Sequence, residues 1–300
     1  MPIRPLRLAL ALLVTAGCDR PDAEPAGSVP AEPTATAAVT AAPAACDEDD
    51  GGITLPDGFC ARVVAEVGPA RHLAVADDGT LYVKLRRVEG GGGIVALRDT
   101  TGDHRADVEA RFGDFGGTGV AVHDGYLYAS SDLAVYRWPL PTDGLVPEGE
   151  PTAIVEGFPR QDQHAAKPLA FDGAGGLYVT VGADANACQE QTRTPGSPGQ
   201  DPCPLLDTSG GIWRFEAGAA GQSFSADARY ATGVRHAVAL AWNPAEGALY
   251  AVQHGRDQLH QLWPEHYTEQ ENADLPAEEL LRLEAGADAG WPYCYYDWQE

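Results

Sequence analysis

A Leu-Tyr pair recurs at 81–82, 127–128, 177–178 and 249–250, in steps of 46, 50 and 72 residues. Each pair closes nearly the same phrase: LAVADDGTLYV (73–83), VAVHDGYLYA (120–129), LAFDGAGGLYV (169–179) and LAWNPAEGALYA (240–251). An apolar run, a polar turn and a second apolar run with period-two alternation predict a β-hairpin. A third strand follows each hairpin, at GIVALRD (93–99), LAVYRWPL (133–140), GIWRFEA (211–217) and ELLRLEA (279–285). A unit of this kind cannot bury both of its faces alone. Repetition at roughly 45–50 residues therefore predicts an all-β fold, a β-propeller whose blades cover one another radially. The 72-residue step is a blade plus an insertion.

The hairpins also say where a site belongs. In an up-and-down blade, the loop entering the first strand and the loop joining the second to the third emerge at one end of the sheet. His164 and Lys167 precede the strand at Leu169, Arg235 and His236 precede the strand at Leu240, and Gln253 to Asp257 follow the strand ending at Val252. All of these should crowd one rim. The opposite end receives tight turns such as Asp77-Asp78-Gly79.

A net charge of −24 opposes binding to nucleic acid or an anionic membrane surface, and the 20 Lys and Arg residues form no basic cluster. Arg4 and Arg7, an apolar run over 8–14, and Thr15-Ala16-Gly17-Cys18 form an export signal too short to span a bilayer. The Cys directly after small residues resembles a bacterial lipoprotein processing site. Residues 1–18 are thus expected to be a lipoprotein signal peptide, with Cys18 lipidated and anchoring the protein to a membrane that faces the periplasm or cell exterior. Residues 19–48, rich in Ala, Pro and Thr, are expected to form a disordered linker. Residues 49–300 remain for the propeller. In an oxidising compartment, Cys46–Cys60 and Cys188–Cys203 are the local disulfide choices, which leaves Cys294 over.

The segment GVRHAVALAW (233–242), with HGRDQL (254–259), LPAEEL (275–280) and GADAGWPYCYYD (286–297), resembles the glucose/sorbosone dehydrogenase family. Its wording is closest to the sorbosone and pyranose dehydrogenase branch. The resemblance implies a six-bladed propeller, of which this chain carries about four blades and part of a fifth. It also implies oxidation of a sugar by pyrroloquinoline quinone (PQQ) with Ca²⁺, electrons passing to an external acceptor that no motif identifies. His164 then matches the general base, a role suited to imidazole's ordinary pKa near neutrality. Arg235 matches the arginine that contacts the quinone and developing negative charge. Lys167 and His236 fall at cofactor-binding positions, and Gly255 and Arg256 at those whose main-chain carbonyls hold calcium. Where some members orient the base with Asp, this chain has Ala183, with Asp184 next to it.

Three features qualify that picture. Only four copies of the hairpin are visible, the chain stops at Glu300 without a polar tail, and the basic residues that the family supplies from its last third are missing. These point to a C-terminally incomplete propeller. The Asp99–Asp107 run lacks the Gly and Glu of an EF-hand and reads as an Asx-turn loop. Two other functions suit the same architecture: a non-catalytic extracytoplasmic binding propeller, and a calcium-dependent lactonase-type hydrolase with carboxylates in its channel.

Overall fold

A computed structural model describes residues 46–276 and 278–295. The predicted signal 1–18 with Cys18, and residues 19–45 of the predicted linker, lie outside the described residues. Residues 46–48, assigned above to the linker, belong to the fold. Cys46 is bonded to Cys60, and the Asp47 carboxylate accepts the Val63 N–H at 2.8 Å.

Among the described residues, four sheets, antiparallel apart from two short edge strands, follow one another along the chain. The first comprises β1 (Ala70–Val75), β2 (Leu81–Glu89), β3 (Gly92–Arg98) and β4 (Val108–Phe112). The second comprises β5 (Val120–His123), β6 (Tyr126–Ser130), β7 (Ala134–Pro139) and β8 (Thr152–Glu156). In the third, β9 (Leu169–Phe171), β10 (Gly176–Val181) and β11 (Gly211–Glu216) are completed by β13 (Arg229–Thr232). The fourth contains β14 (Ala237–Asn243), β15 (Ala248–Gln253) and β16 (Glu279–Leu283). These are propeller blades. Every Leu-Tyr pair sits on the second strand of its blade, and every predicted third strand is present.

The pair explains the stacking. Adjacent residues of a strand face opposite sides of the sheet, so Leu covers one face and Tyr the other. Tyr82 packs in one cluster with Leu127, Tyr128 with Leu177, and Tyr178 with Leu249. The Tyr of each blade therefore meets the Leu of the next. These six side chains are at most 2% exposed, and burial of each stabilises the fold by about 2–3 kcal/mol.

Two short strands tie the blade edges together. β12 (Gln222–Ser223), between β11 and β13, pairs in parallel with β8 of the preceding blade. β17 (Ala287–Asp288), after β16, pairs in parallel with β13 in the same manner. In both cases the chain leaving a third strand covers the open edge of the blade before it, a position that otherwise invites aberrant pairing. Among the described residues, the segment after β16 thus extends the third blade and does not open a fifth.

Candidate active site

Two insertions build one rim. The loop between β10 and β11 carries the Cys188–Cys203 disulfide, and the connection between β15 and β16 carries two short helices, α1 (Leu259–Leu262) and α2 (Glu269–Asp274). Together with the loops entering β9 and β14, they bring His164, Arg235, His236, His254, Gly255, Arg256 and Asp257 onto a single cavity of about 480 Å³. A second cavity of about 240 Å³ shares His164 and His236 and adds Asp132 and Asp162. Gly182 permits this crowding. A Cβ there would lie 2.7 Å from both Cβ and the carbonyl oxygen of His164, and 3.2 Å from the Arg235 carbonyl oxygen.

His164 adopts φ 53°, a left-handed conformation that few L residues take without local support. Its Nδ1 lies 2.6 Å from the Ala183 carbonyl oxygen. A carbonyl can only accept, so Nδ1 carries the proton and Nε2 is the basic nitrogen of the neutral ring. The main-chain carbonyl of Ala183 therefore orients the ring, a task that some members of the family the sequence resembles give to an Asp side chain. Asp184 acts instead on the neighbouring loop. Its Oδ1 accepts the Asp162 and Gln163 N–H groups at 3.0 and 2.8 Å, fixing the segment that presents His164.

The His164 and His236 rings stack at 4.4 Å, with His254 beyond them 5.5 Å from His236. Burial, and then the Arg235 charge, lower the His164 pKa to about 4. Burial, followed by the charges of His164, His254 and Arg235, lowers that of His236 to about 3. A base titrating near neutrality was expected at 164; dehydration makes it instead a ring that is neutral throughout the physiological range. Among the described residues, the buried Nε2 of His236 meets no hydrogen-bond partner.

Arg235 is 3% exposed, and each of its guanidinium nitrogens has a polar partner. Nε donates to the Asn186 carbonyl at 3.1 Å, Nη2 to Asn186 Oδ1 at 2.7 Å, and Nη1 to the carbonyls of His254, at 3.2 Å, and Gly255. Nη2 also pairs with Asp257 Oδ1 at 3.3 Å. Arg235 is thus a fixed buried charge, and direct contact with a ligand requires it to exchange a partner. Asp257 bridges Arg235 to Arg193, whose Nη1 is 2.7 Å from Asp257 Oδ1 and whose Nε donates to Gln163 at 2.5 Å. Burial raises the Asp257 pKa, but the hydrogen bond from Arg193 and the Arg235 charge outweigh it and hold the group below its ordinary value.

These groups suit an anionic quinone. Arg193, Arg235 and Arg256 line the cavity, and the partnerless His236 Nε2 is a buried polar atom of the kind a ligand satisfies. For calcium, no set of three His, Cys, Asp or Glu side chains converges among the described residues. A cation at the predicted position rests on main-chain oxygens, a donor type calcium accepts. It must share the Gly255 carbonyl with Arg235, while the carboxylates of Asp257 and Glu278 on the same cavity offset the added charge.

Lys167 does not line the cavity. Its side chain is fully buried, with Nζ donating to Gln161 Oε1 at 2.7 Å and to the Ala165 carbonyl at 2.8 Å. Burial lowers its pKa to about 7 against the opposing pull of Asp132 and Asp184. The Asp99 carboxylate accepts N–H groups of Thr101, Gly102 and His104 in its own loop, as an Asx turn does. Both predicted disulfides are present, and no described cysteine is a free thiol, which includes Cys294. Asn186, Arg193 and Gln161 were not anticipated. No motif surrounds them, and their importance arises only from contacts made across the fold.

A propeller whose insertions gather neutral histidines and fixed arginines onto one rim cavity defines the class of this protein. The TrAA12-like family model matches residues 53–300, and the chain belongs to that family. Among solved structures, the calcium structure of Trichoderma reesei Carbohydrate-Active Enzymes Family AA12 is similar at 20% identity, with 79% of this chain and 59% of that chain covered and a TM-score of 0.61. The iodide structure from the same source gives a TM-score of 0.62 at the same identity and coverage. The holo form of the pyranose dehydrogenase PQQ domain from Coprinopsis cinerea is similar at 18% identity, covering 82% of this chain and 59% of that one, with a TM-score of 0.63. The present chain thus spans 59% of the length of these structures, and at such identities the likeness is one of fold. No curated protein matches.

Proposed function

We propose that this protein is a PQQ- and calcium-dependent sugar dehydrogenase acting on an aldose or keto-aldose such as sorbosone. One observation carries the reading: His164, its Nδ1 tied to the Ala183 carbonyl, shares a cavity with Arg235 and the partnerless Nε2 of His236. PQQ, when bound, supplies the acceptor for the hydride that leaves the sugar carbon. His164 Nε2 takes the hydroxyl proton as that carbon is oxidised. Because His164 is neutral above about pH 4, it stands ready to accept without first losing a proton of its own. Arg193, Arg235 and Arg256, which line the cavity, provide the positive field for an anionic cofactor, and His236 on the same cavity bonds or stacks with it in this reading. The Gly255 and Arg256 carbonyls are the proposed calcium donors. Electrons then leave to an external acceptor. Two disulfides fit an exported protein, and lipid attachment at Cys18 would hold it at a membrane surface.

The test is reconstitution with Ca²⁺ and PQQ, followed by absorbance titration and sugar-dependent dye reduction. Saturable PQQ binding and turnover are expected, with His164→Ala lowering the rate by about 10²–10⁴-fold. Undiminished turnover in His164→Ala would remove the assigned base, and an unchanged spectrum on adding PQQ would remove the cofactor.

A further inference from the structure

We infer that Lys167, acting through Gln161, is a positioning residue that fixes the orientation and tautomer of His164. The inference rests on the proposed role of His164 as a base for its functional meaning, and on hydrogen bonds alone for its structural content.

Lys167 holds the His164 environment from two sides. On one side its Nζ donates to the carbonyl of Ala165, the residue that follows His164 and its left-handed backbone. On the other it donates to Gln161 Oε1. In its ammonium form, held below about pH 7, Lys167 can only donate, so it then compels the Gln161 amide to present oxygen to Lys167 and NH₂ to the far side. That NH₂ meets the Gly182 carbonyl. The 182–183 peptide is then pinned at both ends, its oxygen by Gln161 and its N–H by the Arg235 carbonyl at 2.7 Å. The next carbonyl, that of Ala183, receives the His164 Nδ1 proton.

A lysine in this place requires explanation. It is fully buried, and its Nζ bonds only neutral oxygens. Burying a charge without a direct counter-ion is costly, and a purely packing role would be better served by Met or Leu. The cost is accounted for if the site needs a group that can only donate, since a residue able to accept would let the Gln161 amide turn over. The Lys167 carbonyl is itself anchored by Ser130 Oγ at 2.7 Å, so the stem of the side chain is also fixed.

The experiment is long-range ¹H–¹⁵N NMR of histidine-labelled protein, with the His164 signals assigned through His164→Gln. In the wild type His164 is expected as the Nδ1–H tautomer, titrating near pH 4. In Lys167→Met the Nδ1–H population should fall as the carbonyl contact loosens, and the His164 midpoint should rise by about one pH unit or more, because rehydration of the ring outweighs the loss of the Ala183 contact, which favours the protonated form. Gln161→Leu, which spares the buried lysine, should move both readouts in the same direction and serves if Lys167→Met does not fold. A folded variant whose His164 tautomer and midpoint match the wild type overturns the inference. Sugar-dependent turnover is measured in parallel: kcat should fall at least tenfold with KM nearly unchanged. A wild type that binds no PQQ would remove the proposed function while leaving the NMR result to decide the positioning role.

Discussion

His164 and His236 stack ring on ring, 4.4 Å between centroids and 24° between planes, and burial keeps both neutral. Their contact has a consequence for stability. In the unfolded chain both rings protonate near 6.5; in the fold they do so near 4 and 3. Between those limits the unfolded state binds more protons, so the contribution of the two rings is fully present above about pH 6.5 and declines as pH falls toward 4. The slope is about 1.4 kcal/mol per pH unit for each ring. This window lies above the ordinary carboxylate range, which isolates the histidines. The melting temperature is expected to drop between pH 6.5 and 4.5, and His236→Phe, which keeps a stacked ring without a titrating nitrogen, should reduce the drop. A melting temperature flat across that window would contradict the burial of the pair.

Leu177→Ala and Tyr250→Ala distinguish the interior from the end of the blade stack. Leu177 is fully buried against Tyr128 of the preceding blade, and its truncation should cost about 2–5 kcal/mol. Tyr250 occupies the equivalent position to Tyr82, Tyr128 and Tyr178, yet no later described blade covers it. Its hydroxyl reaches Glu246 at 2.6 Å. Its truncation should cost about 1 kcal/mol or less. Urea unfolding of the two variants checks the contrast.

That ladder was legible in the sequence because a propeller repeats its local pattern: a hairpin phrase states strand, turn and face in a dozen residues. The rim was legible for a related reason, since loop parity follows from strand order, and it placed His164, Arg235 and His236 together. The electrostatics were not legible. Nothing local indicates that Lys167 is turned inward or that His164 is dehydrated. Asn186 illustrates the limit most clearly, since its amide donates to the carbonyl of Asp257, 71 residues away, and only the folded chain brings them together. The edge strands β12 and β17 escaped notice because two residues carry no periodicity.

Gly182→Ala tests the close approach that the site requires. The added methyl would press on His164 from 2.7 Å and on the Arg235 carbonyl from 3.2 Å. Neither neighbour is a flexible side-chain end, so backbone must move. A loss of about 1–3 kcal/mol is expected, and the His164 tautomer should become mixed as the Ala183 carbonyl shifts. Thermal denaturation and the histidine NMR spectrum report the two effects separately. Wild-type values for both would mean that the loop has room the structure denies it.

Asn186→Ala should weaken the site through Arg235. The side-chain oxygen of Asn186 accepts from Arg235 Nη2 at 2.7 Å, while its amide group donates to the Asp257 carbonyl at 2.7 Å. Truncation leaves the main-chain Asn186 carbonyl still bonded to Arg235 Nε, so the guanidinium is not expelled. It does lose its shortest acceptor on Nη2, where only the longer contact to Asp257 remains. A hydrogen bond to a buried charge contributes about 1.5–3 kcal/mol, and the expected loss in urea unfolding lies in that range. The freed Nη2 proton should also turn toward Asp257 and tighten that pair, drawing the Asp257 carboxylate from Arg193. Since Arg193 and Arg235 are both proposed to hold an anionic cofactor, PQQ affinity should change together with stability. A variant that loses stability but titrates PQQ like the wild type would separate Arg235 from cofactor binding.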